Sequence, residues 1–277
     1  MVLLFASCRD DRGAPLPSEP YFETPATTPP AFDRDEVEAG LVEAVAVVPS
    51  LEAEEAIAIY RALRAEGDPT CPASYPYAGY EYWYSQCEAE SGTVFSGYSY
   101  EYGADYGGGY VYAGVYLYGA IALPDGTTLS STGEFASTTF GRGSEGKVRT
   151  VLDGVFDWSG EAAPGGWIAR RLVPGITVVR ERPGGAHVWR LDGGVSGFEG
   201  PADTVEFVDV TFDDGDGCTE PAGTISVRVA GGEWFDVTFE GDGQEDGDVT
   251  CDGCGRVANR GVVVGEACAD FSAWTAP

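Results

Sequence analysis

At 277 residues the chain is long enough to bury a substantial core, as one large β domain or two smaller ones. Its 45 Asp and Glu against 16 Lys and Arg give a net charge of −29, which repels phosphate backbones and anionic lipid headgroups and argues against nucleic acid as a partner. The 40 glycines and 17 prolines, spread through aromatic and β-branched runs, indicate a turn-rich β protein.

Residues 1–8 form a short apolar run that ends in small residues and a cysteine, Phe5-Ala6-Ser7-Cys8. This run resembles the end of a bacterial lipoprotein signal peptide, whose lipobox sets small residues directly before the Cys that is lipidated. Ala6, Ser7 and Cys8 match; Phe5 stands where the family usually has Leu, and no basic residue precedes Val2. The resemblance implies an exported protein held at the membrane by a lipid on Cys8, with Arg9 favouring the outer membrane or cell surface. Residues 9–32 carry Pro15, Pro17, Pro20, Pro25, Pro29 and Pro30 and read as an extended tether. At about 3.1 Å per residue, that tether reaches roughly 70 Å from its anchor.

Over residues 33–67 the period becomes helical. Val37, Leu41, Ala44, Val45 and Val48 form one stripe, with Asp33 as the expected N-cap and Pro49 as the stop. Ser50 is the expected cap of a second helix whose stripe is Ala53, Ile57, Tyr60 and Leu63, with Glu52, Glu54 and Glu55 near its positive end and Arg61 and Arg64 near its negative end. Both stripes are narrow, so the pair is expected to pack on a sheet face or edge without a core of its own.

From residue 71 to 277 the pattern is strands only. Tyr75 to Tyr118 hold 13 of the 15 tyrosines at a spacing of two: Tyr80, Tyr82 and Tyr84; Tyr98, Tyr100 and Tyr102; Tyr110, Tyr112, Tyr116 and Tyr118. In the last set Val111, Val115, Leu117, Ile121 and Leu123 fall on the other side, so the sheet has an aliphatic face and a tyrosine face. Pro124-Asp125-Gly126, Pro183-Gly184-Gly185 and Gly231-Gly232 mark hairpin turns. The expected class is mainly β: an antiparallel hairpin meander forming a curved sheet, a sandwich or a barrel-like sheet, preceded by a short helical pair. Gly97, Gly114, Gly133, Gly154 and Gly194 sit near the middles of successive strands, and their alignment would let the sheet bend sharply. Residues 207–218 and 234–251 repeat a unit of strand, acidic turn and cysteine, with Asp209-Val210-Thr211-Phe212 recurring as Asp236-Val237-Thr238-Phe239.

Beyond Cys8, six cysteines remain: Cys71, Cys87, Cys218, Cys251, Cys254 and Cys268. An even remainder in an exported chain reads as disulfides, with Cys71 and Cys87 the easiest pair to close and three connectivities open to the other four. The Cys-Asp-Gly-Cys spacing at 251–254 also suits zinc, an alternative that an oxidising compartment disfavours. Gly141 to Val148 contain phosphate-loop spacings, but Val148 stands where Ser or Thr should bind Mg²⁺ and a strand follows where a helix should open. Asp242, Asp246 and Asp248, like Asp213, Asp214 and Asp216, are weak Ca²⁺ candidates: the twelfth loop position is Gly253 where a bidentate Glu belongs. No cofactor is expected.

His187 is the single histidine, and no nucleophile elbow or paired-histidine motif accompanies it. The leading expectation is therefore a non-enzymatic, lipid-anchored envelope protein with a structural or interaction role. The alternative is a carbohydrate-binding sheet that uses the tyrosine face, with a glycan or an envelope protein as partner. A secreted hydrolase would need a cleft of converging carboxylates or a role for His187. Because the tyrosines directly follow two amphipathic helices, burial of the tyrosine face under that pair or under another sheet is the expected arrangement.

Overall fold

The computed structural model of the chain describes residues 31–140, 147–159, 170–181, 186–198, 200–215, 219–241 and 251–275. Cys8, the tether up to residue 30, the phosphate-loop spacing at 141–146, Cys218 and the acids Asp216, Asp242, Asp246 and Asp248 lie outside them.

Helix α1 spans Arg34–Val47, and Asp33 caps it by accepting the amides of Asp35 and Glu36 at 3.1 and 3.3 Å. A 3-10 turn, Val48–Ser50, follows, and helix α2 spans Ala53–Arg64. Ser50 does not cap α2. Its hydroxyl donates back to the Val47 carbonyl at 2.7 Å, and Glu52 occupies the cap position without a side-chain bond. Pro49 tightens the exit of α1 into a turn two residues longer than a direct cap would need.

Thirteen strands follow among the described residues. The first six are β1 (Ser74–Tyr77), β2 (Tyr80–Glu88), β3 (Val94–Gly107), β4 (Tyr110–Ala122), β5 (Thr128–Phe140) and β6 (Lys147–Ser159). Then come β7 (Arg170–Glu181), β8 (Val188–Ser196), β9 (Ala202–Asp213) and β10 (Ala222–Val229). The last three are β11 (Trp234–Glu240), β12 (Cys254–Asn259) and β13 (Val262–Cys268). Each pairs antiparallel with its sequence neighbour, so strand order equals chain order and the sheet stays open at β1 and β13. It is one curved meander, neither a sandwich nor a closed barrel. The turns at 124–126 and 231–232 make hairpins as expected, and the copies of the repeat, in β9 and β11, flank β10 on either side.

The inner face is aliphatic and aromatic: Val115, Leu117, Ile121, Phe135, Leu152, Val205, Phe207, Val227 and Val237 are all fully buried. Helix α2 lies against β4, β5 and β6 and helix α1 against β9, β10 and β13, so the sheet curls around the helical pair. At Gly40 the approach is close enough that a Cβ would sit 2.4 Å from Val227. Several buried polar groups pair where the helices meet the sheet. Trp83 donates its indole N–H to the Tyr60 hydroxyl at 2.9 Å, and that hydroxyl also bonds Ser99, which donates to the Tyr116 carbonyl. Arg180 stacks over Trp189 at 4.5 Å, pairs with Glu52 and donates to the Val48 and Leu51 carbonyls, which pins the turn between the helices to the sheet. Near the C-terminus a 3-10 turn, Ser272–Thr275, buries Trp274, whose indole N–H donates to Val45 at 3.0 Å and whose carbonyl accepts from Trp189.

Curling this much needs the backbone to bend without side chains between strands. Glycines do this in cross-strand pairs: Gly97 with Gly119, Gly133 with Gly154, and Gly175 with Gly193. A Cβ on Gly133 would lie 1.8 Å from the Asp153 carbonyl oxygen, and one on Gly193 would lie 1.9 Å from that of Gly175. Of the expected glycines Gly97, Gly133 and Gly154 take part, joined by Gly119 and Gly175. Gly114 serves a tyrosine instead, and Gly193, not Gly194, carries the β8 kink. Asp209, at φ 51°, holds the corresponding place in β9 opposite Gly223.

Gly193→Ala meets both the carbonyl clash and a φ of 118°, so thermal unfolding should show a loss of at least about 2 kcal/mol. Gly231→Ala, with open space around its Cβ and no left-handed φ, should change stability by no more than about 0.5 kcal/mol.

Candidate functional site

The tyrosine pattern becomes three rows that cross the strands. Tyr84 faces Tyr98, and Tyr98 faces Tyr118. Tyr82 faces Tyr100, and Tyr100 faces Tyr116. Tyr80 faces Tyr102, which faces Gly114. Tyr75 and Tyr77 of β1 prolong the last two rows by facing Tyr82 and Tyr80. The rings stack: Tyr100 on Tyr116 at 5.0 Å and 5°, Tyr98 on Tyr118 at 5.5 Å and 20°, Tyr102 on Tyr112 at 5.0 Å and 29°, Tyr75 on Tyr82 at 5.9 Å and 14°. Such offset contacts contribute about 0.5–1.5 kcal/mol each beyond area burial. Tyr110 turns its ring to Tyr106 and Phe140 near the β3–β4 hairpin end.

The face points away from both helices. Strand alternation sends Trp83, Ser99, Val115 and Leu117 inward to the helical pair and the tyrosines outward, so the expected burial of the tyrosine face does not occur. The apolar stripes of the helices took the aliphatic side, where the buried Tyr60 and Ser99 hydroxyls bond each other. Tyr84 is 77% exposed, Tyr75 53% and Tyr118 52%, whereas Tyr82, Tyr98, Tyr100, Tyr112 and Tyr116 are half-buried by one another. Tyr102 alone among the rows is buried. Its ring lies over Gly114, where a Cβ would come within 2.3 Å of it, and its hydroxyl donates to the Glu134 carboxylate. Burial, then the bonds to Glu134 and Tyr112, hold the Tyr102 phenol proton far above the usual tyrosine range; burial and the Glu134 charge push Tyr100 up to about 12.

The electrostatics of this half are one-sided. Between Arg64 and Arg142 the sequence contains no Lys, Arg or His, so β1 to β5 carry no cation. Glu88 and Glu134 fall on the outer face with the tyrosines, by strand alternation from Tyr84 and by pairing with Tyr116. Glu81 and Glu101 turn inward, to Arg64 and Arg61.

Of the other candidates, Cys71 and Cys87 form a disulfide, as do Cys254 and Cys268, and Cys251 is disulfide-bonded too. Cys254 is therefore not a zinc thiolate. Asp213 and Asp214 form local bonds: Asp213 accepts the Gly215 amide at 2.8 Å, and Asp214 accepts the His187 amide at 2.5 Å and lies 2.9 Å from His187 Nδ1. Burial resists ionisation of Asp214, but the His187 side-chain and amide bonds outweigh it and lower its pKa. His187 stands just before β8 rather than within a strand, and its Nε2 makes no hydrogen bond among the described residues.

Sequence reasoning missed two carboxyls on the outer side of the opposite half, Asp236 buried and Glu206 half-buried. Glu206 pairs across the sheet with Ser226, and Ser226 with Asp236, to which it donates at 2.7 Å. Burial pushes Asp236 up to about 6, and burial together with the Asp192 charge pushes Glu206 up to about 7. The signal available in the sequence was Asp236 between Phe235 and Val237, an acid in an otherwise apolar strand. Comparison with known proteins found no matching family model, no similar curated protein and no similar solved structure.

Because both carboxyls stay protonated in the folded chain to higher pH than in the unfolded one, the folded state binds more protons between about pH 4 and about pH 7. Their contribution to stability therefore falls as pH rises through that window. Melting curves should show Asp236→Asn losing less stability than the parent chain from about pH 4 to about pH 7; an equal loss in both would contradict the burial assigned to Asp236.

Proposed function

We propose that the chain is a non-enzymatic protein of the bacterial cell envelope, held by a lipid on Cys8, whose tyrosine face is its binding surface. The observation that carries this reading is the position of the tyrosine rows: continuous over four strands, on the side of the sheet away from both helices, with Tyr75, Tyr84 and Tyr118 at least half exposed. Tyrosine suits such a role because it offers a large amphipathic contact area at the entropic cost of two side-chain torsions, and its Ser and Gly neighbours here add adaptable hydrogen bonds. The rows are also largely pre-ordered by their own stacking, which reduces what a partner must immobilise. Support for the anchor comes from Ala6-Ser7-Cys8 and the proline-rich tether. Support for a non-enzymatic role comes from the sequence, in which no nucleophile elbow or paired-histidine motif accompanies His187.

Carbohydrate is the second reading. The exposed rings of Tyr75, Tyr84 and Tyr118 offer apolar platforms and the phenols offer hydroxyl partners, a combination that suits sugars.

Two measurements test these readings. Growth with a fatty-acid analogue should label the full-length chain and leave Cys8→Ala unlabelled; no label on the parent, or label on the variant, overturns the anchor. In affinity electrophoresis through a neutral β-glucan, the carbohydrate reading requires retardation of the parent that is lost in Tyr75→Ala/Tyr84→Ala/Tyr118→Ala. Migration unaffected by the polymer overturns that second reading.

A further inference from the structure

Tyr84 differs from every other tyrosine between residues 75 and 118. The other twelve each make a ring contact with a neighbour, whereas Tyr84 makes none among the described residues and is 77% exposed. Its partner across β2 and β3 is Tyr98. Tyr98 stacks on Tyr116 and Tyr118, both of β4, at 5.8 and 5.5 Å. The ring face that Tyr98 turns toward β2 is therefore not covered by a ring. Directly opposed residues on paired strands bring their Cβ atoms to roughly 4.5–5.5 Å, so two rings at such positions that do not touch must lean apart. Leaning apart leaves room between them for a flat group, with Tyr98, braced by β4, on one side and the exposed ring of Tyr84 on the other.

We infer that the space between Tyr84 and Tyr98 is a clamp for a planar cation, the guanidinium of an arginine on a partner protein. The inference rests on the reading of the tyrosine face as a binding surface and adds the chemistry of what binds. Between Arg64 and Arg142 there is no Lys, Arg or His, so β1 to β5 set no cation on the outer face, and Arg61 and Arg64 of α2 are paired with Glu101 and Glu81 on the inner side. Aromatic faces attract cations through their quadrupole, and arginine fits best because its flat group also stacks. The same molecule uses that contact internally: Arg180 lies over Trp189 at 4.5 Å and Arg228 over Trp234 at 5.8 Å. Further along the outer side of β2, the exposed carboxylate Glu88 offers an ion-pair partner to a second basic residue of the same segment. Ligands bearing carboxylate, sulfate or phosphate find no counter-charge here.

Calorimetric titration of the whole chain with a synthetic Arg-Gly repeat peptide tests the clamp, beside the same peptide with lysine or with citrulline, the uncharged planar isostere, in place of arginine. The arginine peptide should bind more tightly than both. Tyr84→Ala, at so exposed a position, should keep its melting temperature and lose about two- to fivefold in affinity, and Tyr84→Phe should bind like the parent. Equal affinity for Tyr84→Ala and the parent overturns the clamp, because attraction to the net charge of −29 then accounts for the binding. Equal binding of the citrulline peptide overturns the cation, and equal binding of the lysine peptide overturns the planar group. If no peptide binds but neutral β-glucan retards the parent and not the tyrosine variants, the clamp is wrong and the binding face stands. If neither ligand depends on the tyrosines, both fall.

Discussion

A sheet of thirteen strands with one apolar face has far more surface to remove from water than two helices of 14 and 12 residues can cover, and that mismatch governs the rest of the molecule. The inner face can be buried only if the sheet bends around the helices and closes partly on itself. Side chains at the bends would block it, which is why the closest cross-strand approaches fall where glycines meet, at Gly97 and Gly119, Gly133 and Gly154, and Gly175 and Gly193. What the helices and the bend leave open, the C-terminal turn fills with Trp274, packed against Trp189, Phe212 and Phe271.

The same bend decides what faces outward. With the concave side committed to aliphatic burial, alternate residues of every strand are delivered to the convex side, where only their neighbours can cover them. In β1 to β4 those residues are tyrosines, which bury ring area against each other while their hydroxyls remain near water. Most of them therefore avoid the penalty of an unpaired buried hydroxyl. Tyr102 is the exception, and it has its acceptor in Glu134. On the other half the outward residues include Glu206 and Asp236, whose burial makes them hold their protons to higher pH than an exposed carboxyl does.

Much of this was legible because period-two alternation is set by the backbone and survives any tertiary context: the two faces of β4, the tyrosine rows and the hairpins at 124–126 and 231–232 all follow from it. Which face the helices choose is not a local property. The stripes Val37, Leu41, Ala44 and Val45 and Ala53, Ile57, Tyr60 and Leu63 carry a single polar group, and the matching surface is the one with Val115, Leu117 and Phe135, on the opposite side of the same strands from the tyrosines. Proximity in the chain misled where complementarity of the two surfaces would have decided correctly. Gly114 was misread for a similar reason: its lack of a side chain serves the Tyr102 ring on the neighbouring strand, a contact 12 residues away. The turn at Ala78-Gly79, with φ of 52° and 87°, went unread because alanine gives no signal for the left-handed conformation it adopts. Ser50 looked like a cap because the rule is local, whereas the 3-10 turn it joins is held in place by Arg180 from β7.

An open meander has two edges, and both are fastened by means other than a neighbouring strand. At the first edge β1 is short and carries Pro76, which cannot donate to another strand, and the Cys71–Cys87 disulfide ties the approach to β1 onto β2. Asp68 reinforces that approach by accepting the Thr70, Cys71 and Glu90 amides, and these bonds, with the Thr70 hydroxyl first among them, lower its pKa to about 2. At the other edge Cys254 and Cys268 are paired residues of β12 and β13, and Glu38 of α1 accepts the Cys268 amide at 3.0 Å. The tyrosine rows start at the first of these fastened edges. Fraying there would strip β1, with Tyr75 and Tyr77, from β2, so the disulfide at 71 and 87 bears directly on the geometry of the face. A tyrosine face built on an unclosed sheet needs its edge held, and here the covalent tie sits on the same strand as the exposed Tyr84 ring.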